Sequence, residues 1–222
     1  MIKMIDYDHL IGNFKKEYGI HNIIAFSGGA DIELNGIPSD DPIQEQYKKF
    51  ITALEERIIG YCIGKFRGYQ IAILTGGTKW GIPKTATFTA KKFGLKTIGI
   101  YPLIGKKHAL DKNMFDLEIC VEHLFGESRW GDESPIFANL LDGVVVFSGG
   151  AGTLIECTHV LKINEALKKS GLPLKYIVPI SGTGGVADGL PFVWAKPEIR
   201  FLCMPSFRII TGLQVADILR DK

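Results

Sequence analysis

Four apolar runs of this chain each end in a glycine cluster, and this repetition constrains the fold more than any other feature. The runs are short and rich in β-branched residues, as is typical of buried strands in a parallel sheet. Stretches with helical periodicity lie between them. The alternation predicts an α/β fold with a single Rossmann-like, doubly wound parallel sheet and helices on both faces, formed by residues 1–222 as one domain. The clusters are Ser27-Gly28-Gly29, Thr75-Gly76-Gly77, Ser148-Gly149-Gly150 and Ser181-Gly182-Thr183-Gly184-Gly185.

Predicted strands and helices alternate along most of the chain. The predicted strands are Asn22–Phe26, Ile71–Leu74, Thr97–Ile100, Leu117–Val121, Val144–Phe147, Tyr176–Ile180 and Arg208–Ile210. The predicted helices are Pro42–Phe66, Ile82–Phe93, Pro135–Leu141, one from the Gly150 turn to Ser170, and Leu213–Arg220. In the longest helix, the spacing predicts one apolar face, and Asp40 or Asp41 is suited to cap its start. That face fits either the core or an oligomer interface, and its residues are Tyr47, Phe50, Ile51, Leu54 and Ile58.

Charge and composition argue against several classes of protein. Lys and Arg number 26 against 24 Asp and Glu, and the net charge of +2 is too balanced to favour nucleic acid or an acidic membrane surface. The four cysteines have no C-x-x-C spacing, so we interpret them as reduced thiols, and the five histidines show no metal-ligand spacing. No signal-peptide pattern opens the chain, and no uncharged run approaches the roughly 20 residues that span a bilayer. We expect a cytoplasmic protein without membrane contact, metal or cofactor.

The glycine clusters are expected to meet at one edge of the sheet. Parallel strands all end there, and open α/β sheets bind ligands at that edge, where glycine lets a ligand approach the backbone. A single cluster is equally well explained as a tight turn, but four on one edge favour a ligand site. None matches G-x-G-x-x-G with a following acidic residue or G-x-x-x-x-G-K-[ST], which argues against an NAD dehydrogenase and a P-loop NTPase. The first two clusters supply the candidate ligand contacts Gly28, Gly29, Gly76, Gly77 and Thr78.

The most specific stretch is Ser148-Gly149-Gly150-Ala151-Gly152-Thr153-Leu154-Ile155-Glu156, directly after a predicted strand. It predicts a strand-to-helix turn in which Thr153 caps the helix and free backbone N–H groups bind phosphate. Glu156 lies about one turn into that helix. A carboxylate is unsuited to phosphate but suits a ribose hydroxyl, or a glycosidic carbon that becomes positive in a transition state. The alternative for Glu156 is a solvated carboxylate that the helix dipole stabilises.

Three ordered segments resemble the signatures of the LOG proteins, which belong to the wider SLOG superfamily. The segments are Phe26-Ser27-Gly28, Gly76-Gly77-Thr78-Lys79-Trp80-Gly81 and Gly149–Glu156, and the similarity covers roughly residues 24–166. LOG enzymes are phosphoribohydrolases, which cleave the base from a nucleoside 5′-monophosphate. The resemblance implies that Gly149, Gly150, Gly152 and Thr153 bind phosphate and that Glu156 serves catalysis.

The chain departs from the LOG pattern at the second catalytic residue. LOG enzymes place an arginine in the helix before the motif, and counting back from Asp142 puts Glu133 at that position. Arg129, one turn earlier, is the candidate substitute as a catalytic residue, and a surface ion pair is the alternative for it. Glu133 fits better as a carboxylate at the start of a helix. The family's proline before the paired glycines is replaced by Ser148.

A second resemblance is to the SLOG-type region of TRPM channels and its prokaryotic relatives. It is carried by Leu74–Thr78, Thr97–Ile100 and Ile180–Asp188. That fold is associated with nucleotide ligands such as ADP-ribose, which implies that Gly182, Gly184 and Asp188 contact a second phosphate or ribose. The alternative for Asp188 is to cap its own turn.

Together these residues predict a protein that binds a nucleoside phosphate and hydrolyses its N-glycosidic bond. The alternative is a non-catalytic sensor or carrier for an ADP-ribose-like nucleotide. Lys79 and Trp80 could meet a phosphate and a base, or Trp80 could pack on the sheet. A departing base needs a proton donor, and no residue is an obvious acid. The near-neutral charge disfavours single-strand DNA, a ligand of one SLOG branch. We expect a homodimer or larger homo-oligomer, as is common among LOG relatives.

Overall fold

The computed structural model describes residues 6–29, 38, 40–123, 126–193, 196–205 and 212–220. Its strands are β1 (Asn22–Gly28), β2 (Ile71–Thr75), β3 (Lys96–Pro102), β4 (Leu117–Val121), β5 (Gly143–Phe147) and β6 (Tyr176–Pro179). Its helices are α1 (Tyr7–Tyr18), α2 (Pro42–Lys65), α3 (Gly81–Lys92), α4 (Ser134–Leu140), α5 (Ala151–Lys169), α6 (Gly185–Val193), α7 (Pro197–Cys203) and α8 (Gly212–Arg220). Two short 3₁₀ turns, Leu103–His108 and Lys112–Met114, connect β3 to β4.

The six strands form one all-parallel sheet with the order β4-β3-β2-β1-β5-β6. Because β1 pairs with both β2 and β5, the strand order reverses direction between β1 and β5. Buried side chains of α1, α4, α5, α6 and α7 pack on one face of the sheet, and those of α2, α3 and α8 pack on the other. The predicted doubly wound α/β sheet is therefore confirmed.

Most predicted elements agree with the structure to within two residues at each end. The predicted strand Arg208–Ile210 lies outside the described residues and stays a prediction. Asp41 caps α2 as expected, because its side chain accepts a hydrogen bond of 2.8 Å from the backbone N–H of Ile43. The helices α1, α6 and α7 were not predicted. In α6 the reason is local, since its sequence contains glycine and proline, which are poor helix formers.

The predicted apolar face of α2 is partly wrong. Ile51 and Ile58 are buried, but Phe50 is 66% exposed. The buried face also includes two polar residues, Gln44 and Glu55. Helical spacing alone identified a stripe, whereas the face that α2 buries depends on where α3 and α8 pack against it.

Two properties bear on the class of protein. The four cysteines are free, and Cys62, Cys157 and Cys203 are buried. Among the residues that the structure describes, no helix combines the length and the apolar character needed to cross a membrane.

Candidate functional site

A cavity of about 340 Å³ opens at the carboxyl ends of β1 and β5. The strand order reverses between β1 and β5, so the connections that follow these two strands run to opposite faces of the sheet. A crevice opens between them at this edge. The structure thus brings together most of the residues that the sequence analysis selected. The predicted residues that line the cavity are Gly28, Gly29, Gly76, Thr78, Gly150, Gly152, Thr153 and Glu156.

The start of α5 lies in the wall of this cavity. Gly150 precedes the helix, and no side chain caps it. Thr153 was predicted to be the cap, but this is wrong. It is the third residue of the helix and is buried, and a Cβ on Gly149 would lie 2.4 Å from its Oγ1. The first-turn N–H groups of an uncapped helix need a partner, and together with the helix dipole they favour an anion.

The turn before α5 has a strained backbone. Ser148 has φ +33°, in the left-handed region that residues other than glycine rarely adopt, and Gly149 follows with φ +88°. Two hydrogen bonds hold Ser148 in place. Its Oγ donates to Glu55 Oε1 at 3.2 Å, and its N–H donates to Thr183 Oγ1 at 2.9 Å. The strain is thus supported by α2 on one side and by the loop after β6 on the other.

The loop after β6 supports this turn from behind. The N–H groups of Val186 and Ala187 donate to the carbonyls of Gly149 and Ser148, at 3.0 and 3.1 Å. Asp188 accepts hydrogen bonds from Gly182 N at 2.6 Å and from Gly184 N at 3.0 Å, so its carboxylate closes its own loop. None of these loop residues lines the cavity in the described part of the chain. Gly77 does not line it either, because it packs against the Tyr101 ring.

Glu156 lies in the cavity with its carboxyl hydrogen-bonded to the Ser27 hydroxyl at the end of β1. Burial is the main reason that the pKa of Glu156 rises to about 8. The negative charge of Glu133 raises this pKa further, and the hydrogen bond from Ser27 opposes the rise. Glu156 is therefore mostly protonated at neutral pH.

Glu133 faces the same cavity, although the sequence predicted only a carboxylate at the start of a helix. It precedes α4 but makes no capping hydrogen bond, and instead its Oε2 accepts from the N–H of Gly131 at 2.9 Å. Burial raises its pKa above the usual range for a glutamate, and the neighbouring Asp132 adds to this effect. A signal was present in the sequence, because an ungapped count back from Asp142 aligns Glu133 with the LOG arginine.

Arg129 does not join this group. It is exposed and does not line the cavity, and its backbone N–H donates to Asp132 Oδ2 at 2.8 Å. Among the described residues, the cavity wall thus presents two carboxyl groups, from Glu133 and Glu156, and no arginine.

Two tryptophans complete the cavity. Trp80 is 43% exposed and Trp130 is 54% exposed, and both line the wall. The ring of His108 lies between them, with centroids 5.0 Å from Trp80 and 6.2 Å from Trp130. Large aromatic side chains left open to solvent inside a cavity favour a flat ligand. Trp130 could not be selected from the sequence, because its position depends on how residues 126–133 pack against the Leu103–His108 turn.

A Rossmann-like sheet with an uncapped helix start at its strand-order reversal defines a nucleotide-binding class of α/β fold. Within this class, the chain belongs to the SLOG cluster4 family, whose family model matches residues 46–168, more than half of the 222 residues. A comparison with curated protein sequences gives no match.

Solved structures share the fold at low identity. TM1055 is 16% identical with a TM-score of 0.61, and the alignment covers 91% of this chain and 100% of that one. The molybdenum cofactor binding protein of the phototrophic bacterium Rippkaea orientalis is 19% identical with a TM-score of 0.54, over 90% of this chain and 96% of that one. The molybdenum cofactor carrier protein of Chlamydomonas reinhardtii is 18% identical with a TM-score of 0.51, over the same shares of the two chains, 90% and 96%.

The contact between α6 and the turn before α5 makes a first prediction. A Cβ on Gly185 (φ +55°) would lie 2.3 Å from the carbonyl oxygen of Gly149, whereas a Cβ on Gly182 (φ +87°) would meet nothing within 4 Å. Gly182→Ala should lower the free energy of unfolding by about 1 kcal/mol through backbone strain alone. Gly185→Ala should lower the free energy of unfolding by roughly 1–3 kcal/mol more than Gly182→Ala does, because the added Cβ forces the turn before α5 to move. Urea unfolding of both variants measures the difference, and equal losses would contradict the close packing.

The buried carboxyl groups predict that stability decreases as the pH rises. The folded protein holds the Glu156 proton more tightly than the unfolded chain between the ordinary pKa of 4.5 and about 8. Its free energy of unfolding should therefore fall across this window, by about 1.4 kcal/mol for each unit by which the pKa is raised. Glu156→Gln should remove the pH dependence of the unfolding free energy that comes from Glu156. The pH dependence that comes from Glu55, whose pKa is about 7, has the same sign and should remain.

Urea unfolding at a series of pH values measures that slope. The matched control is Glu165→Gln on the same helix, an ion-paired surface carboxylate that should leave the slope unchanged. A wild-type slope that survives Glu156→Gln in full would show that Glu156 titrates normally.

Proposed function

We propose that the protein binds a nucleotide-like ligand, a flat heterocycle joined to a phosphorylated sugar, in the cavity at the β1 and β5 ends. The observation that carries this proposal is the combination in one cavity of an uncapped helix start, two carboxyl groups and two exposed tryptophans. The N–H groups at the start of α5 hold the phosphate, with Gly150, Gly152 and Thr153 at closest approach. Membership of a SLOG family supports the same class of ligand.

The tryptophans are assigned to the heterocycle. Stacking on an aromatic ring stabilises any nucleobase, because every base has a π face. This contact selects a flat ring without identifying it. The two molybdenum cofactor proteins share only the fold, and they make that cofactor one further ligand to be tested.

Hydrolysis of the N-glycosidic bond is a second candidate function, and the carboxyl pair favours it. The sequence analysis found no acid for the departing base, but a protonated Glu156 supplies one. Glu133 is assigned the ionised state, because its Oε2 accepts a hydrogen bond of 2.9 Å from the Gly131 N–H, which favours the carboxylate. A pair of carboxyl groups in opposite protonation states is the arrangement that glycosidases use.

The proposed reaction uses one water molecule. The bond between C1′ and the base nitrogen breaks as Glu156 donates its proton to the base. The Glu133 carboxylate stabilises the positive charge that develops on the ribose and takes a proton from the attacking water, whose oxygen bonds to C1′. Transfer of that proton from Glu133 to Glu156 restores the starting state. If the ligand is bound without this reaction, the protein is a carrier or sensor.

Binding is tested with a ligand pair that differs only in the phosphate. We expect adenosine 5′-monophosphate (AMP) to bind at least about tenfold more tightly than adenosine, because only the nucleotide reaches the start of α5. Trp130→Ala should weaken both ligands by roughly tenfold through lost stacking. Phe88→Ala, which removes an exposed aromatic ring on α3 outside the cavity, is the matched control. Isothermal titration measures all affinities, and repeating it with guanosine and cytidine ligands tests the base. Equal affinities for AMP and adenosine would exclude the phosphate site.

Hydrolysis is tested by the release of free base from nucleoside 5′-monophosphates, followed by chromatography across pH 4–10. We expect the rate to fall above about pH 8, because Glu156 loses the proton that it donates. Glu156→Gln and Glu133→Gln should each reduce the rate by at least about a hundredfold. A rate that instead rises through pH 8 would mean that Glu156 acts as a carboxylate, and tight binding with no release of base would leave the carrier function alone.

A further inference from the structure

A second cavity lies beside the first and has not been assigned. Its volume is about 380 Å³, and it lies between α2 and the start of α3. The two cavities share Gly29 and Trp80 in their walls. A ligand held in the first cavity therefore enters the second one if it extends past these two residues.

The two cavities have opposite electrostatic character. Among the described residues, no lysine or arginine lines the first cavity, whereas three lysines line the second. They come from separate parts of the chain: Lys48 from α2, Lys79 from the loop after β2, and Lys84 from the first turn of α3. In the described structure none of the three has a carboxylate oxygen within 4.0 Å. The ammonium group of Lys79 donates to the Lys107 carbonyl at 3.3 Å. Lysines that line a cavity without carboxylate partners favour an anion.

The acidic residues of the second cavity do not cancel this charge. Glu55 and Glu56 also line it, so the lysines outnumber them even when both are ionised. Glu55 is buried and accepts the hydrogen bond from Ser148, and burial raises its pKa to about 7. Glu55 is therefore about half ionised at pH 7, and three lysines against Glu56 and a half-ionised Glu55 leave the cavity with a net positive charge of between one and two.

We propose that the second cavity binds a second anionic group of the same ligand, so that the ligand class is a nucleotide with a further phosphate or pyrophosphate. The inference rests on the proposed function, since the first cavity must hold the nucleotide. The heterocycle stacks on the tryptophans, one phosphate meets α5, and the second anionic group crosses Gly29 to reach the lysines. Gly29, which lines both cavities, has no side chain to separate them.

The experiment compares AMP with three adenine nucleotides that carry a second phosphate. They are ADP, adenosine 3′,5′-bisphosphate and ADP-ribose, which differ in how far the second group lies from the first. We expect at least one of them to bind about tenfold more tightly than AMP at low salt, and the gain should decrease at high salt. Lys84→Gln and Lys48→Gln should each reduce the ratio of that affinity to the AMP affinity about five- to tenfold.

Lys92→Gln is the matched control, because it removes the same charge from an exposed position in the last turn of α3. It should leave every affinity ratio unchanged. If AMP binds but no second phosphate adds affinity, or if Lys92→Gln lowers the ratio as much as Lys84→Gln does, the second site is refuted and the proposed function stands. If no ligand binds at all, the proposed function fails and the second site fails with it.

Discussion

The site depends on one constraint, the pairing of β1 with β2 on one side and with β5 on the other. Parallel strands require crossovers, and crossovers on either side of β1 leave in opposite directions. The cavity lies in the crevice between them. Ser27 at the end of β1 and the glycine turn at the end of β5 face each other across this gap. The hydrogen bond from Ser27 to Glu156 joins the two sides.

The turn after β5 keeps its strained shape because three elements hold it. Glu55 on α2, Thr183 after β6 and the first N–H groups of α6 each bond to Ser148 or Gly149. A residue with a side chain in the left-handed region persists only where its surroundings require it. The rigid turn fixes the direction in which α5 starts, and the N–H groups of a helix bind an anion well only when they do not have to be ordered first.

The sequence predicted what is local and missed what depends on packing. Strands, their glycine turns and the capping of α2 by Asp41 follow from short patterns, and the structure agrees with them. Thr153 was predicted to cap α5, but the helix begins at Ala151, so Thr153 lies within its first turn and is buried. Phe50 was assigned to a buried face that only the positions of α3 and α8 could define. Glu133 and Trp130 reach the cavity through the path of a loop, which no periodicity describes.

Glu55 links the turn before α5 to the lysine-lined cavity. Its carboxyl group supports Ser148 and also borders the lysine-lined cavity. Any charge that enters this cavity changes the proton affinity of Glu55, and the ionisation of Glu55 changes its bond to Ser148. Binding of a charged group in the lysine-lined cavity is thus thermodynamically coupled to the hydrogen bonding of the turn before α5. By reciprocity, a change in the hydrogen bond between Ser148 and Glu55 alters the charge that Glu55 presents to the neighbouring cavity.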